Sequence, residues 1–362
     1  MKAKIGTVIF FLAVLTGCGD ATQSLQMSSG LAPLSPPPIL GIGLDNEGRP
    51  IPFGVPPYHT PDTPLGSGPY KAIMETDSTL PEHVIYRPAN LGEVDSLGIV
   101  AWGNGGCVHA GNRFRSFLTE LASHGFLVIS AGSMGHVALE VGPQENPFVA
   151  RPDGPPRPEP GPSIENDPTA PWRTTRSNVE HMREAIDWAI AQNGISESPF
   201  YGKIDVEAVG AGGQSCGGGL TTQLASDERL KAIGIFNAGT SLESRFSRAR
   251  TEEQIDAGKA LLDQVHSPTI ILTGDEYLDI AYWGGNDTFD YLTDVPVFHA
   301  WQEGLGHIGT YGAPNGGSIG RIASDWYSWQ LLGDEQAAAM FLGDACILCQ
   351  EPGWHVQKKN ME

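Results

Sequence analysis

The sequence predicts an α/β fold: one domain with a mostly parallel central sheet and helices on both faces. Three observations carry that expectation. Short apolar runs, among them 97–102 (LGIVAW), 126–130 (FLVIS) and 269–273 (TIILT), read as strands buried on both faces. Segments of helical spacing separate them, so the hydrophobic period switches back and forth along the chain. No internal repeat and no second domain interrupts the alternation.

Composition sets the bounds. With 362 residues, 40% of them hydrophobic, the chain can bury a sizeable core. Twenty-two basic against 42 acidic residues give a net charge of −20, which argues against nucleic acid or an anionic membrane surface as a partner. Residues 1–17 carry an export pattern. Lys2 and Lys4 form a positive start, and 5–15 is apolar but too short to span a bilayer. Leu15-Thr16-Gly17-Cys18 then resembles the lipobox of bacterial lipoproteins. The expectation is an exported cell-envelope lipoprotein lipidated at Cys18, with the lipid as its only membrane contact; an ordinary cleaved signal is the alternative. Ten prolines between 19 and 68 predict that 18–68 is a tether, with the folded domain spanning 69–362.

Within the domain, 83–86 reads as an early strand and 97–102 as the next, ending in Gly103-Asn104-Gly105-Gly106. Residues 113–123 have helical spacing, with Phe117 and Leu121 on one face, and 126–130 returns to a strand. Ten prolines in 143–172 exclude regular structure there and predict an insertion overhanging the site. A helix follows over 175–192, with Val179, Met182, Ile186 and Ile190 in register. The apolar run 208–211 leads into Gly213-Gln214-Ser215-Cys216-Gly217 and a helix over 218–226. Strands at 232–236, 269–273 and 295–300, and helices at 252–265 and 319–332, complete the domain.

The chemistry concentrates at Ser215. A serine two residues from a glycine on each side, at a strand-to-helix turn, makes a nucleophile elbow, because only near side-chain-free neighbours tolerate so sharp a bend. Cys216 is excluded as nucleophile, since centring the elbow on it puts Gln214 where a glycine is needed. A serine needs a base and an acid to orient that base. His307 lies in a glycine-lined loop after the last core strand and is the expected base. His299 falls inside a strand, His266 precedes one, and His355 lies too near the C-terminus. For the acid, Asp279 is favoured over Asp275, which sits directly at a strand end where it can cap the turn; Asp287 and Asp290 are more distant options. The expected oxyanion donors are the backbone N–H groups of Cys216 and Asn104, with Gly105 as second choice to Asn104. No cofactor or metal ion is expected. Gly210-x-Gly212 lacks the third glycine of a dinucleotide fingerprint, and Cys346-x-x-Cys349 has too few companions for zinc.

Gly-Asn-Gly-Gly-Cys at 103–107, Ala-Ser-His-Gly-Phe at 122–126, Gly-Gln-Ser-Cys-Gly-Gly at 213–218, Asp-Ile-Ala-Tyr at 279–282 and Gly-His at 306–307 carry a resemblance. Over about 69–335 the chain resembles the α/β-hydrolase branch of dienelactone hydrolases, chlorophyllases, platelet-activating-factor acetylhydrolases and cutinase-like polyesterases. The resemblance implies the α/β-hydrolase fold and a serine esterase acting on a small-molecule or polymeric ester. It also supports Asp279, since an aspartate before an Ile-Ala or Val-Ala step is frequent in that branch. The chain departs from it at Trp102, where many relatives carry histidine; Trp102 and Trp283 are candidate pocket walls or core residues. If the loops meet as that fold requires, Cys107 and Cys216 form a disulfide that locks both oxyanion donors together; two free thiols are the alternative. Cys346 and Cys349 are expected to form a local one. A peptidase or acyltransferase using the same parts, or an inactive binding lipoprotein, are the competing readings.

Overall fold

Strands β1 (Ala72–Glu75), β2 (His83–Pro88), β3 (Leu97–Gly103), β4 (Phe126–Ala131), β5 (Ile204–Gln214), β6 (Leu230–Phe236), β7 (Thr269–Thr273), β8 (Val297–Gln302) and β9 (Trp354–Lys359) form one sheet. Its order is β1-β2-β4-β3-β5-β6-β7-β8-β9. Neighbours from β4 across to β8 run parallel, whereas β1 with β2, β2 with β4 and β8 with β9 pair antiparallel. The computed structural model describes residues 64–134, 175–242 and 250–361, all within one compact unit, Ile39–Glu362. The signal segment 1–17, Cys18, nearly all of the 18–68 tether and the 143–172 insertion lie outside the described residues. Among the described residues no helix is long and apolar enough to cross a membrane.

Strand alternation builds a core on each face. In β3, Leu97, Ile99 and Ala101 point to one side while Val100 and Trp102 point to the other. The first side is covered by α2 (Val179–Asn193), α3 (Cys216–Leu224), α4 (Glu252–Leu262) and α5 (Tyr282–Tyr291), through Met182, Ile186, Leu220, Leu224, Leu262 and Phe289. The second is covered by α1 (Arg115–Ser123) and α6 (Gly317–Leu332), through Phe117, Leu121, Ile322 and Trp326. Trp102 is a core residue: it is fully buried against Phe114, Phe117, Phe236 and Tyr311. Short helices α7 (Glu335–Ala338) and α8 (Ile347–Gln350) lead to β9, and Cys346 and Cys349 are disulfide-bonded there, their Cα atoms 4.9 Å apart.

Several features exceed the sequence expectations. Packing begins before residue 69: Leu65 bridges Ala72, and Ser67 N–H donates to Glu120 Oε2 at 2.7 Å. Strand β5 starts at Ile204, where Asp205 and Glu207 disguise it as a loop. Strand β9 is an edge strand with Lys358 and Lys359, and it carries His355 in the sheet, its ring stacked on Trp301 at 5.1 Å.

Candidate active site

Everything at the site hangs from the carboxyl ends of the parallel strands. At the end of β5 the chain turns through Ser215, at φ 54° and ψ −116°, straight into α3. Such a backbone is strained for a residue with a side chain and holds only where the surroundings fix it. They do so by close approach. A Cβ on Gly213 would stand 2.2 Å from Gly217 O, and one on Gly217 would stand 1.9 Å from Gly103 O and 2.8 Å from Asn104 N. Glycine is therefore required two residues before and two after the serine. The same contacts seat the loop between β3 and α1 directly on the turn.

Ser215, Asp279 and His307 are brought together. His307 Nε2 lies 2.9 Å from Ser215 Oγ, and His307 Nδ1 lies 2.7 Å from Asp279 Oδ1. Because a carboxylate only accepts, Nδ1 carries the hydrogen, which leaves Nε2 to accept from the serine hydroxyl. Asp279 is held from three further directions. Its Oδ2 accepts from Asn237 Nδ2 and from Gly274 N–H, each at 2.7 Å, and its Oδ1 accepts from Ala281 N–H at 2.8 Å. Burial opposes its charge, but the hydrogen bond from His307, its charge and the two backbone donors prevail and hold the carboxyl below the usual range. Asp275 is a turn residue instead: its oxygens accept from Tyr277 N–H at 2.8 Å and Gly304 N–H at 3.1 Å. Asp287 accepts from Leu242 N–H, and Asp290 is exposed.

The remaining candidates fall into place around this trio. Cys107 and Cys216 are disulfide-bonded, their Cα atoms 5.2 Å apart, which ties the loop after β3 to the first residue of α3. Asn104 is fully buried, and its Nδ2 donates to Val108 O, Ala110 O and Ala131 O, fixing the loop that presents its backbone. His299 is buried within β8 and His266 is exposed.

Sequence reasoning missed three positioning residues. Asn237, at φ 41°, directly follows β6 and grips Asp279, while Tyr311 Oη–H donates to Asn237 Oδ1 at 2.6 Å. Gln214 Nε2 donates to His307 O at 2.9 Å and its amide lies against Gly105. The one available signal was an asparagine directly after a buried strand, a residue type that tolerates positive φ. Around the trio, Tyr277, Leu278, Ile280 and Ile308 are exposed at 84, 45, 72 and 37%.

What the fold and site define is a class: an α/β protein with a mostly parallel nine-stranded sheet and a serine–histidine–carboxylate chain of hydrogen bonds at its carboxyl edge. No protein-family model matches the chain, and no curated protein matches it.

Proposed function

We propose that this chain is a serine carboxylic ester hydrolase of the α/β-hydrolase fold, exported and anchored through a lipid on Cys18. The observation that carries the reading is the unbroken sequence of bonds from Ser215 through His307 to buried Asp279, with the serine on a strained turn between β5 and α3. Ser215 Oγ attacks the ester carbonyl as His307 Nε2 takes its proton, and the carbonyl oxygen becomes an oxyanion. The N–H groups of Cys216 and Asn104 receive that charge, with Gly105 as the alternative second donor. His307 then returns the proton to the leaving alcohol, and the acyl group stays on Ser215. Water, deprotonated by the same imidazole, releases the acid. Asp279 stays ionised throughout and stabilises the imidazolium.

The exposed rim of Tyr277, Leu278, Ile280 and Ile308 favours esters with an apolar acyl or alcohol part. A fluorophosphonate probe should label the wild-type protein and leave Ser215→Ala unlabelled. p-Nitrophenyl esters of increasing chain length should then be hydrolysed by the wild type alone. A wild-type protein that neither labels nor turns over any ester would point to a binding protein instead.

A further inference from the structure

A cluster of two histidines and a carboxylate lies beside the disulfide-bonded loop after β3. His109 follows Cys107 by two residues, His181 stands in the first turn of α2, and Glu82 immediately precedes β2. One ligand atom from each lies within 4.8 Å of the others. Both imidazoles turn Nε2 toward the same carboxylate, His109 at 3.8 Å from Glu82 Oε1 and His181 at 3.6 Å from Glu82 Oε2. These separations are too long for hydrogen bonds. They approach the edge of a tetrahedron whose centre is about 2.0–2.1 Å from each ligand, roughly 3.3 Å.

The opposite ring nitrogens are already held. Ser177 Oγ–H is aimed at Ala131 O, 3.3 Å away, so its oxygen is left to accept Nδ1–H of His109 at 3.1 Å. The neutral His109 ring therefore presents a lone pair on Nε2 to a negatively charged oxygen, an arrangement that calls for a cation between them. His181 Nδ1 lies 2.9 Å from Asn178 Oδ1 and 3.1 Å from Asn178 N, so it can donate to the first or accept from the second. Its backbone is fixed as well, because His83 Nε2–H donates to His181 O at 2.7 Å. Ligand histidines held through their second nitrogen are the mark of a prepared metal site.

We infer that Glu82, His109 and His181 form a binding site for one divalent ion of the zinc class, with water completing the shell. Two imidazoles and one carboxylate suit such an ion, whereas magnesium and calcium want six or more oxygens. The ion would pin three separate pieces of chain: the turn before β2, the loop that presents Asn104, and the start of α2. Ser177 N–H already donates to Cys107 O at 3.0 Å, so the cluster is continuous with the backbone of that loop.

The test uses the purified, untagged protein and zinc alone. After dialysis against excess zinc, elemental analysis should find one equivalent per chain, and the melting midpoint should rise by several degrees. The same concentration of magnesium should leave it unchanged. Glu82→Gln and His181→Gln should abolish retention and shift; Glu82→Gln, at an exposed side chain, should keep the metal-free midpoint within about 2 °C, and glutamine at the mostly buried position 181 keeps an acceptor for the helix cap. No zinc retained by the wild type, equal retention by both variants, or an equal rise with magnesium would overturn the site.

Discussion

Two groupings of histidine with carboxylate, His307 with Asp279 and His109 and His181 with Glu82, are built differently. Asp279 is buried, receives three donors besides the imidazole, and meets His307 at 2.7 Å. Glu82 has a side chain 57% exposed and meets its two imidazoles at 3.6 and 3.8 Å. The first spacing leaves room only for a hydrogen and the second leaves room for an ion. Burial and donor count, not residue type, separate a group that orients a base from one that can ligate.

The sharpest way to break this contrast is to neutralise each carboxylate. Asp279→Asn keeps the shape but lets the amide compete for the wrong ring nitrogen, and should lower kcat for a p-nitrophenyl ester on the order of 10⁴-fold. Glu82→Gln, assayed without added metal, should leave it within about 2-fold, because Glu82 touches no reacting atom. Comparable losses from both would erase the distinction. The lowered pKa of Asp279 also has a stability consequence with a definite sign. Its contribution is fully present above the unfolded value of about 3.9 and is lost as pH falls through the lower folded value.

A smaller effect is expected one shell further out. Asn237→Gly keeps the positive φ but removes the Nδ2 donor to Asp279 and the acceptor for Tyr311. A hydrogen bond to a charged group contributes about 1.5–3 kcal/mol, so kcat should fall roughly 10- to 100-fold. If the pH profile of kcat and the rate both stay at wild-type values, the three-sided grip on Asp279 is not what sets the base.

How much of this was legible follows from where the information sits. The serine turn was readable because its geometry demands glycines at fixed offsets, and Asp279 and His307 because they follow it on successive strand ends. Strand β7 could be read directly, since five consecutive buried residues are themselves the signal. Helix α5 was hidden by Gly284 and Gly285, which the sequence marks as breakers. Contact explains them: a Cβ on Gly239 would stand 2.2 Å from Gly284 C, and one on Gly285 would stand 2.7 Å from Thr273 Cγ2. Asn237, Tyr311 and Gln214 acquire roles only through contacts 42 to 93 residues apart in the chain. Glu82, His109 and His181 likewise follow no local spacing, so no motif could have announced them.

A fourth histidine supplies the limit of the comparison, because it has burial and no carboxylate. His299 lies within β8, fully buried beside Thr273 and Phe289, and burial pushes its pKa down from 6.5 to about 4, against a weaker opposing hydrogen bond with Gln357. The unfolded chain then binds more protons than the folded one between those two values, so stability should be complete above about pH 6.5 and decline toward pH 4. His299→Leu, which cannot titrate, should flatten that part of the profile in chemical denaturation measured at pH 7, 5.5 and 4.5. The ester hydrolysis rate at pH 7 should change little, since His299 contacts none of Ser215, Asp279 or His307. An unchanged slope would mean that the ring is already charged when folded, and that a carboxylate is not what a buried imidazole needs in this protein to stay protonated.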